Sequence, residues 1–288
     1  MKMITSVSQM QSISKELKSS GKKIGFVPTM GYLHEGHLTL VTQSVKECDV
    51  TVMSIFVNPL QFGPNEDFDQ YPRDIDRDFA LAKSAGADLL FYPSVKELYP
   101  EELPVKMTAL KRTNVLCGAK RPGHFDGVVS VLTLLFHIVQ PDRAYFGQKD
   151  AQQVAVVKGL VEGYFFPVQI VTVETVREED GLAKSSRNVY LTDKERNEAP
   201  VLYQSLIKGK EMLGTKTADQ VISLMASNIQ ENTSGKIDYI EILSYPELLP
   251  INNKTGQFII ALAVQFEHAR LIDNVVFTPE EEELCIVQ

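Results

Sequence analysis

Lys23-Ile24-Gly25-Phe26-Val27-Pro28-Thr29-Met30-Gly31-Tyr32-Leu33-His34-Glu35-Gly36-His37 carries a short apolar run into a polar turn. Beyond it, Leu38, Val41, Val45 and Cys48 recur at helical spacing on one face. Strand, turn and helix in that order make a βα unit, and the unit repeats. Strands are predicted at Lys23 to Val27, Val50 to Val57, Asp88 to Tyr92, Arg143 to Phe146 and Val168 to Thr175. Val50, Val52, Ile55 and Val57 make the second almost wholly apolar, as burial on both faces of a central parallel strand requires. Ile75, Phe79 and Ala82 mark a helix that stops at Gly86. Val128 to Val139 reads as a deeply buried helix, with a strand as the alternative. This alternation predicts an α/β fold, a Rossmann-like parallel-sheet domain over residues 1–176.

The charged stretch Val176-Arg177-Glu178-Glu179-Asp180-Gly181 ends the alternation. Residues 177–288 then read as a smaller α+β domain. Thr192 with Glu195, and Thr217 with Gln220, each have capping-box spacing. Pro200 should kink or split the first of these helices. Strand-like segments follow at Ile237 to Leu243, Phe258 to Phe266 and Leu271 to Phe277. The acidic tail Glu280 to Glu283 reads as solvated and frayed.

The bulk numbers exclude several classes. The 288 residues carry 29 Lys+Arg against 37 Asp+Glu, a net charge of -8, so an overall basic footprint for nucleic acid is missing. An anionic ligand must be held by placed groups. Cys48, Cys117 and Cys285 are widely spaced, which argues against a disulfide framework or a cysteine zinc site. The N-terminus lacks the apolar run of a signal peptide. No segment approaches the roughly 20 apolar residues that span a bilayer. A cytoplasmic protein with no membrane partner is expected.

Ligands of open parallel sheets bind at the carboxyl ends of the strands, and polar residues gather after several of these. His34 and His37, three apart, share a face of a first helical turn. There they either hold and protonate a phosphate chain or cap the turn. A zinc site would need a different spacing, His-Glu-x-x-His, and further ligands. Lys149 and Gln153 lie at i and i+4 after the fourth strand, suited to a phosphate and to a hydroxyl or carboxylate, or else to a solvated helix start. Lys184-Ser185-Ser186-Arg187 can wrap a triphosphate as a mobile lid hinged near Gly181, or be a plain surface loop. In Arg121-Pro122-Gly123-His124, Arg121 could reach a phosphate, or His124 could fix a structural turn. His137, among apolar neighbours, reads as a core histidine, and His268 has no evident partner.

The His-x-Gly-His turn after the first strand, with a Lys-Ser-Ser-Arg loop much later, resembles the HIGH and KMSKS pair of the nucleotidyltransferase superfamily. Adding Phe56-Val57-Asn58-Pro59-Leu60-Gln61-Phe62, Arg121-Pro122-Gly123-His124-Phe125 and Phe146-Gly147-Gln148-Lys149-Asp150 makes the chain similar to the pantoate–β-alanine ligase (pantothenate synthetase) family. The resemblance implies ATP-dependent joining of pantoate to β-alanine through a pantoyl adenylate, releasing pyrophosphate and AMP. It implies an ATP site over Met30, Gly31, Tyr32, Leu33, His34, Glu35, Gly36 and His37, completed by Gly147, Gln148, Lys149, Asp150, Val176, Lys184, Ser185, Ser186 and Arg187. His37 would be the catalytic, phosphate-contacting acid. Gln61 and Gln153 would grip pantoate, and Gln61 would also face β-alanine. Mg2+ with ATP, a homodimer, and no organic prosthetic group are further implications.

Three positions depart from the family pattern. Arg77 stands where some relatives have an aspartate near the metal, which leaves the metal ligands unknown. Lys184 replaces a common methionine, and Cys117 a common glutamate. Two other functions compete. A nucleotidyltransferase acting on a phosphate acceptor would share the histidines but has no need of Gln61 and Gln153. A non-catalytic nucleotide sensor would not need His37, Lys149 and Arg187 together.

Overall fold

A computed structural model describes residues 1–64, 66, 68–251 and 256–278. Cys285 and the acidic tail lie outside the described residues. Six parallel strands form one sheet: β1 (Lys2–Ile4), β2 (Ile24–Thr29), β3 (Val50–Ile55), β4 (Leu89–Phe91), β5 (Arg143–Gly147) and β6 (Gln169–Val173). Their order is β1-β4-β3-β2-β5-β6. A separate antiparallel sheet contains β7 (Lys236–Tyr245), β8 (Gln257–Gln265) and β9 (Arg270–Phe277), in sequence order.

The predicted α/β class therefore holds, with all five predicted parallel strands present. β1 was not anticipated. It has three residues, only Ile4 is buried, and it adds to the sheet by pairing Ile4 with Phe91 of β4. β3 is buried along nearly its whole length between β2 and β4, which accounts for its β-branched composition. The segment with two readings is a helix, His124–Val139, with Val128, Leu132, Leu135 and Val139 buried. His137 corrects the core reading: it is exposed, with Nδ1 2.8 Å from the Thr133 carbonyl. Helical geometry turns that one position outward from an otherwise apolar run.

Two compact units emerge. One comprises Met1–Lys111, Arg121–Gly147 and Val156–Glu174; the other comprises Arg112–Lys120, Gln148–Ala155 and Thr175–Gln288. These units are interleaved along the chain, unlike a single cut at 176/177. In the first, Val27, Leu33, Leu40, Met53, Ile55, Leu90 and Tyr145 form a core cluster. In the second, Leu202, Leu206, Val221, Met225, Ile229, Ile260 and Leu262 pack together. Leu116, Ala151 and Ala155 join Leu243, Tyr245, Ile259 and Ala261 in another cluster of the same unit. Gln152 ties the short segments to each other, donating to the Arg112 and Val115 carbonyls and accepting from the Gly118 N–H.

Both capping boxes form: Thr192 with Glu195, and Thr217 with Gln220. Pro200 splits its helix as expected, into Asp193–Glu198 and Pro200–Met212. Its ring cannot donate the N–H that would continue the first piece, and it starts the second at a position where none is needed.

Candidate active site

The expected site residues divide between the two units. In the first, β2 ends at Thr29 and the helix Glu35–Glu47 begins after a tight turn. Gly31 has φ +90, and a Cβ there would lie 3.0 Å from Ile55 Cγ2 and 3.1 Å from Asp78 Oδ2. Tyr32 follows at φ 51, and Leu33 is fully buried and anchors the turn in the core. Asp78 holds the turn from below. Its carboxylate accepts the N–H groups of Tyr32 at 2.7 Å and Leu33 at 2.8 Å, and it is 1% exposed. Burial raises its carboxyl above the usual range, while the Leu33 and Tyr32 bonds pull the other way. Arg77 adds a second clasp. It donates to the Leu33 carbonyl at 2.8 Å, approaches Asp78 at 3.3 Å, and lies 4.8 Å from the Tyr32 ring centroid.

The helix start is capped by the two histidines. His34 Nδ1 accepts from the Gly36 N–H at 3.2 Å, and His37 Nδ1 accepts from the His34 N–H at 3.3 Å. Their ring centroids are 4.1 Å apart. The capping reading is therefore what the bonds show, and with Nδ1 an acceptor the proton of each neutral ring is assigned to Nε2, at the other side of the imidazole. Glu35 is exposed on the first turn.

Gln61 comes to the same turn. It is buried, its Nε2 is 3.0 Å from Met30 Sδ, and its Oε1 accepts from Asn58 at 3.3 Å. Asn58 is itself fixed, donating to the Gly127 carbonyl at 3.0 Å and accepting from the Tyr99 hydroxyl at 2.9 Å. Burial pushes that hydroxyl's pKa up, which keeps it a donor. Of the two readings for the Arg121 turn, the structural one describes the bonds seen. Arg121 forms a two-pronged pair with Glu66 at 2.7 and 2.6 Å, and His124 Nδ1 lies 2.8 Å from the Gln61 carbonyl. The Arg121 bond holds the Glu66 carboxyl below its usual range. Gly147 ends β5, the strand beside β2.

In the second unit, Gln148–Asp150 form a tight 3-10 turn ahead of the helix Ala151–Gly163. Lys149 therefore precedes the α-helix that carries Gln153, so the expected α-helical i,i+4 spacing does not apply across that junction. Gln153 is half-buried there. The Lys184 N–H donates to the Val176 carbonyl at 2.9 Å, which closes a small hairpin through Arg177 and Ala183. Lys184 Nζ lies 3.2 Å from Glu178. The Ser185 hydroxyl accepts from the Arg187 N–H at 3.3 Å and starts the 3-10 turn Ser186–Tyr190. Lys149 and Ser185 line one small cleft, with Asn188, Tyr203 and Asp273.

Sequence reasoning missed Asp78, Arg177 and the β9 residues Asp273 and Asn274. Asp78 was visible only as part of an acidic run, and its partners lie far away along the chain. Cys117 gains a physical setting: its Sγ is 3.2 Å from the Tyr239 hydroxyl and accepts from Arg270 at 3.5 Å. Among the described residues, no group of three or more His, Cys, Asp or Glu could hold a metal ion. No helix there is long and apolar enough to cross a membrane.

The family model described as pantoate-beta-alanine ligase matches residues 2–276. The chain belongs to the pantoate–β-alanine ligase family. A pantothenate synthetase of Bacillus cytotoxicus is 59% identical over 280 residues, covering 96% of this chain and 99% of the relative. One from Bacillus pumilus is 58% identical over 286 residues, covering 98% and 99%. Among solved structures, a Thermus thermophilus pantothenate synthetase superposes with a TM-score of 0.89 at 44% identity, over 96% of this chain and 99% of that one. A Francisella tularensis pantoate-beta-alanine ligase, complexed with beta-gamma ATP and beta-alanine, gives 0.79 at 35% identity, over 96% and 97%. Membership makes this chain a ligase of pantothenate biosynthesis.

Proposed function

We propose that the chain condenses (R)-pantoate with β-alanine in two steps at one ATP site. In the first, a pantoate carboxylate oxygen attacks the ATP α-phosphorus and the bond to the bridging oxygen breaks. Pantoyl adenylate forms and pyrophosphate leaves. In the second, the β-alanine amine attacks the acyl carbon, the bond to the AMP oxygen breaks, and the amine loses a proton. Pantothenate and AMP result. No side chain becomes a covalent nucleophile, so positioning and charge stabilisation carry the catalysis.

The single observation that carries this reading is the reciprocal cap of His34 and His37, which puts the ring protons on Nε2 at a helix N-terminus suited to an anion. His37 is the group assigned to phosphate charge as pyrophosphate departs, with Met30 to Gly36 lining the nucleotide. Gly147 to Asp150, Val176 and Lys184 to Arg187 complete the ATP site. Gln61 and Gln153 bind pantoate, and Gln61 also faces β-alanine. The ligands named for the Francisella tularensis relative, ATP and β-alanine, support the substrate assignment.

Among the described residues, no group of three or more His, Cys, Asp or Glu could hold Mg2+, and Asp78 beside Arg77 is already engaged. Both Asp78 oxygens are taken by backbone N–H groups, and Arg77 approaches one of them. Any magnesium would arrive with ATP, and no step is routed through it. Residues 177–288, together with the two shorter stretches of the same unit, are assigned as the lid part carrying Lys184 to Arg187, in a cytoplasmic homodimer; sedimentation of the purified chain tests the dimer.

The deciding experiment is isotope exchange. Pyrophosphate label should enter ATP with pantoate present and β-alanine absent, and AMP release should need both. Exchange that ignores pantoate removes the assignment.

A further inference from the structure

Asp273 and Asn274 are adjacent on β9, both 5% exposed, in a position where a strand sends neighbouring side chains to opposite faces. Buried polar side chains need partners, and these have unusual ones. Asp273 takes both prongs of Arg177, at 2.6 and 2.9 Å. Arg177 also donates to the Gly181 carbonyl at 3.0 Å, and its guanidinium lies 3.6 Å from the Tyr203 ring centroid. Gly181 sits at φ +94, with Tyr203 too close for a Cβ. The hairpin of residues 177–183 is thereby clamped at both ends: by Arg177 on β9, and by the Lys184 N–H on the Val176 carbonyl. Its exit is Lys184-Ser185, so the clamp sets where that loop begins.

Asn274 faces the other segment. Its Nδ2 donates to the carbonyls of Gln148 at 3.0 Å and Lys149 at 2.9 Å. Two carbonyl partners fix which amide atom points there, since an oxygen could accept from neither. That bond pair sets the 3-10 turn from which Lys149 projects. Lys149, Ser185 and Asp273 line the same cleft.

We propose that Asp273 and Asn274 are a positioning pair for ATP: one buried dipeptide on β9 fixes the Lys184–Arg187 loop through Arg177 and the Lys149 turn directly. The proposal rests on the reading of Lys149 and Lys184 to Arg187 as nucleotide contacts. The two β9 residues are assigned a positioning role, not a nucleotide contact. Each acts by holding a cation-bearing segment at its place before ATP arrives, which is where preorganisation lowers the cost of binding.

The test compares the wild type with Asp273→Asn, Asn274→Ala, Asp273→Glu and the double variant Arg177→Gln/Asp273→Asn. The readouts are KM for ATP, KM for pantoate, kcat, and ATP protection against tryptic cutting after Lys184 and Arg187. Asp273→Asn and Asn274→Ala should raise KM for ATP about tenfold, the size of one lost charge-assisted or shared hydrogen bond, with KM for pantoate moving less than about twofold. The ATP concentration that protects against trypsin should rise in step. Asp273→Glu, which can still meet Arg177, should recover part of the effect. If Asp273→Asn does not fold, the double variant carries the test, because it leaves no unpaired buried charge. A fall in kcat with both KM values unchanged would mean only a loss of folded enzyme, and overturns the proposal. Absence of ATP protection in the wild type removes the nucleotide reading and this proposal with it. Protection in the wild type that persists unaltered in the variants overturns the proposal alone.

Discussion

His34 and His37 cap the same helix by exchanging backbone duties: each Nδ1 accepts an N–H of the first turn, one from Gly36 and the other from His34. The imidazoles are therefore held in place by the fold before any substrate binds, with Nε2 as the donor end. The structural role and the proposed chemical role fall on the same two rings, so a simple alanine variant confounds them.

A glutamine separates the two. Glutamine at the third helical position can still reach back to the cap N–H. His37→Ala should cost about 1 kcal/mol of stability through the lost cap. It should also slow single-turnover adenylate formation about 100-fold, as loss of one preorganised donor does. His37→Gln should recover the stability in denaturant titration and leave the rate low. Normal adenylate formation by either variant removes His37 from the mechanism.

Asp78 predicts a fold effect that reads out at the nucleotide. Asp78→Asn keeps the shape but sets an amide NH2 against one of the two backbone donors now facing carboxylate oxygens. A loss of about 1–3 kcal/mol in stability is expected from the unpaired group. KM for ATP should rise, because the turn Gly31–Leu33 loosens. An unchanged denaturation midpoint would show that Asp78 does not hold the turn.

The Glu66–Arg121 pair gives a pH dependence with a definite sign. The Arg121 bond lowers the Glu66 carboxyl below its ordinary 4.5. Its contribution is therefore present above pH 4.5 and is lost as the pH falls through the depressed value in the folded state. Compared with Glu66→Gln, the wild type should be more stable by up to about 1 kcal/mol near neutrality, a partly exposed pair being worth no more. The two unfolding curves should converge in acid. A gap that stays open at low pH contradicts the pairing.

Gly31→Ala should strain the same turn from the other side. A left-handed conformation costs a residue with a Cβ roughly 1–2 kcal/mol, and here that Cβ would press on Ile55 and Asp78. Reduced stability together with weaker ATP binding is expected in calorimetry. Unchanged ATP affinity would detach the turn from the nucleotide.

Local chemistry made much of the fold legible. β3 declared itself by an apolar run, Pro200 by its missing N–H, and the two Thr boxes by spacing. β1 did not, because a three-residue edge strand with one buried side chain has no pattern to read. The candidate site was legible where it is local, as in the His34–His37 turn. It was opaque where a side chain acts across the chain: Asp78 meets residues about 45 positions earlier, and Arg177 meets Asp273. Such pairs have no periodicity, and only folding brings them together.

The second unit recruits Arg112–Lys120 and Gln148–Ala155 from within the parallel-sheet half of the sequence. Leu116, Ala151 and Ala155 complete the cluster that covers Tyr245, Ile259 and Ala261. A contiguous fragment starting at residue 177 would lack those three side chains and the Lys149 turn together. The C-terminal portion is thus not a transplantable cassette. A chimaera of relatives joined at the apparent sequence boundary would cover this sheet with the other parent's Leu116, Ala151 and Ala155 counterparts, so all three stretches should be exchanged together to keep matched packing.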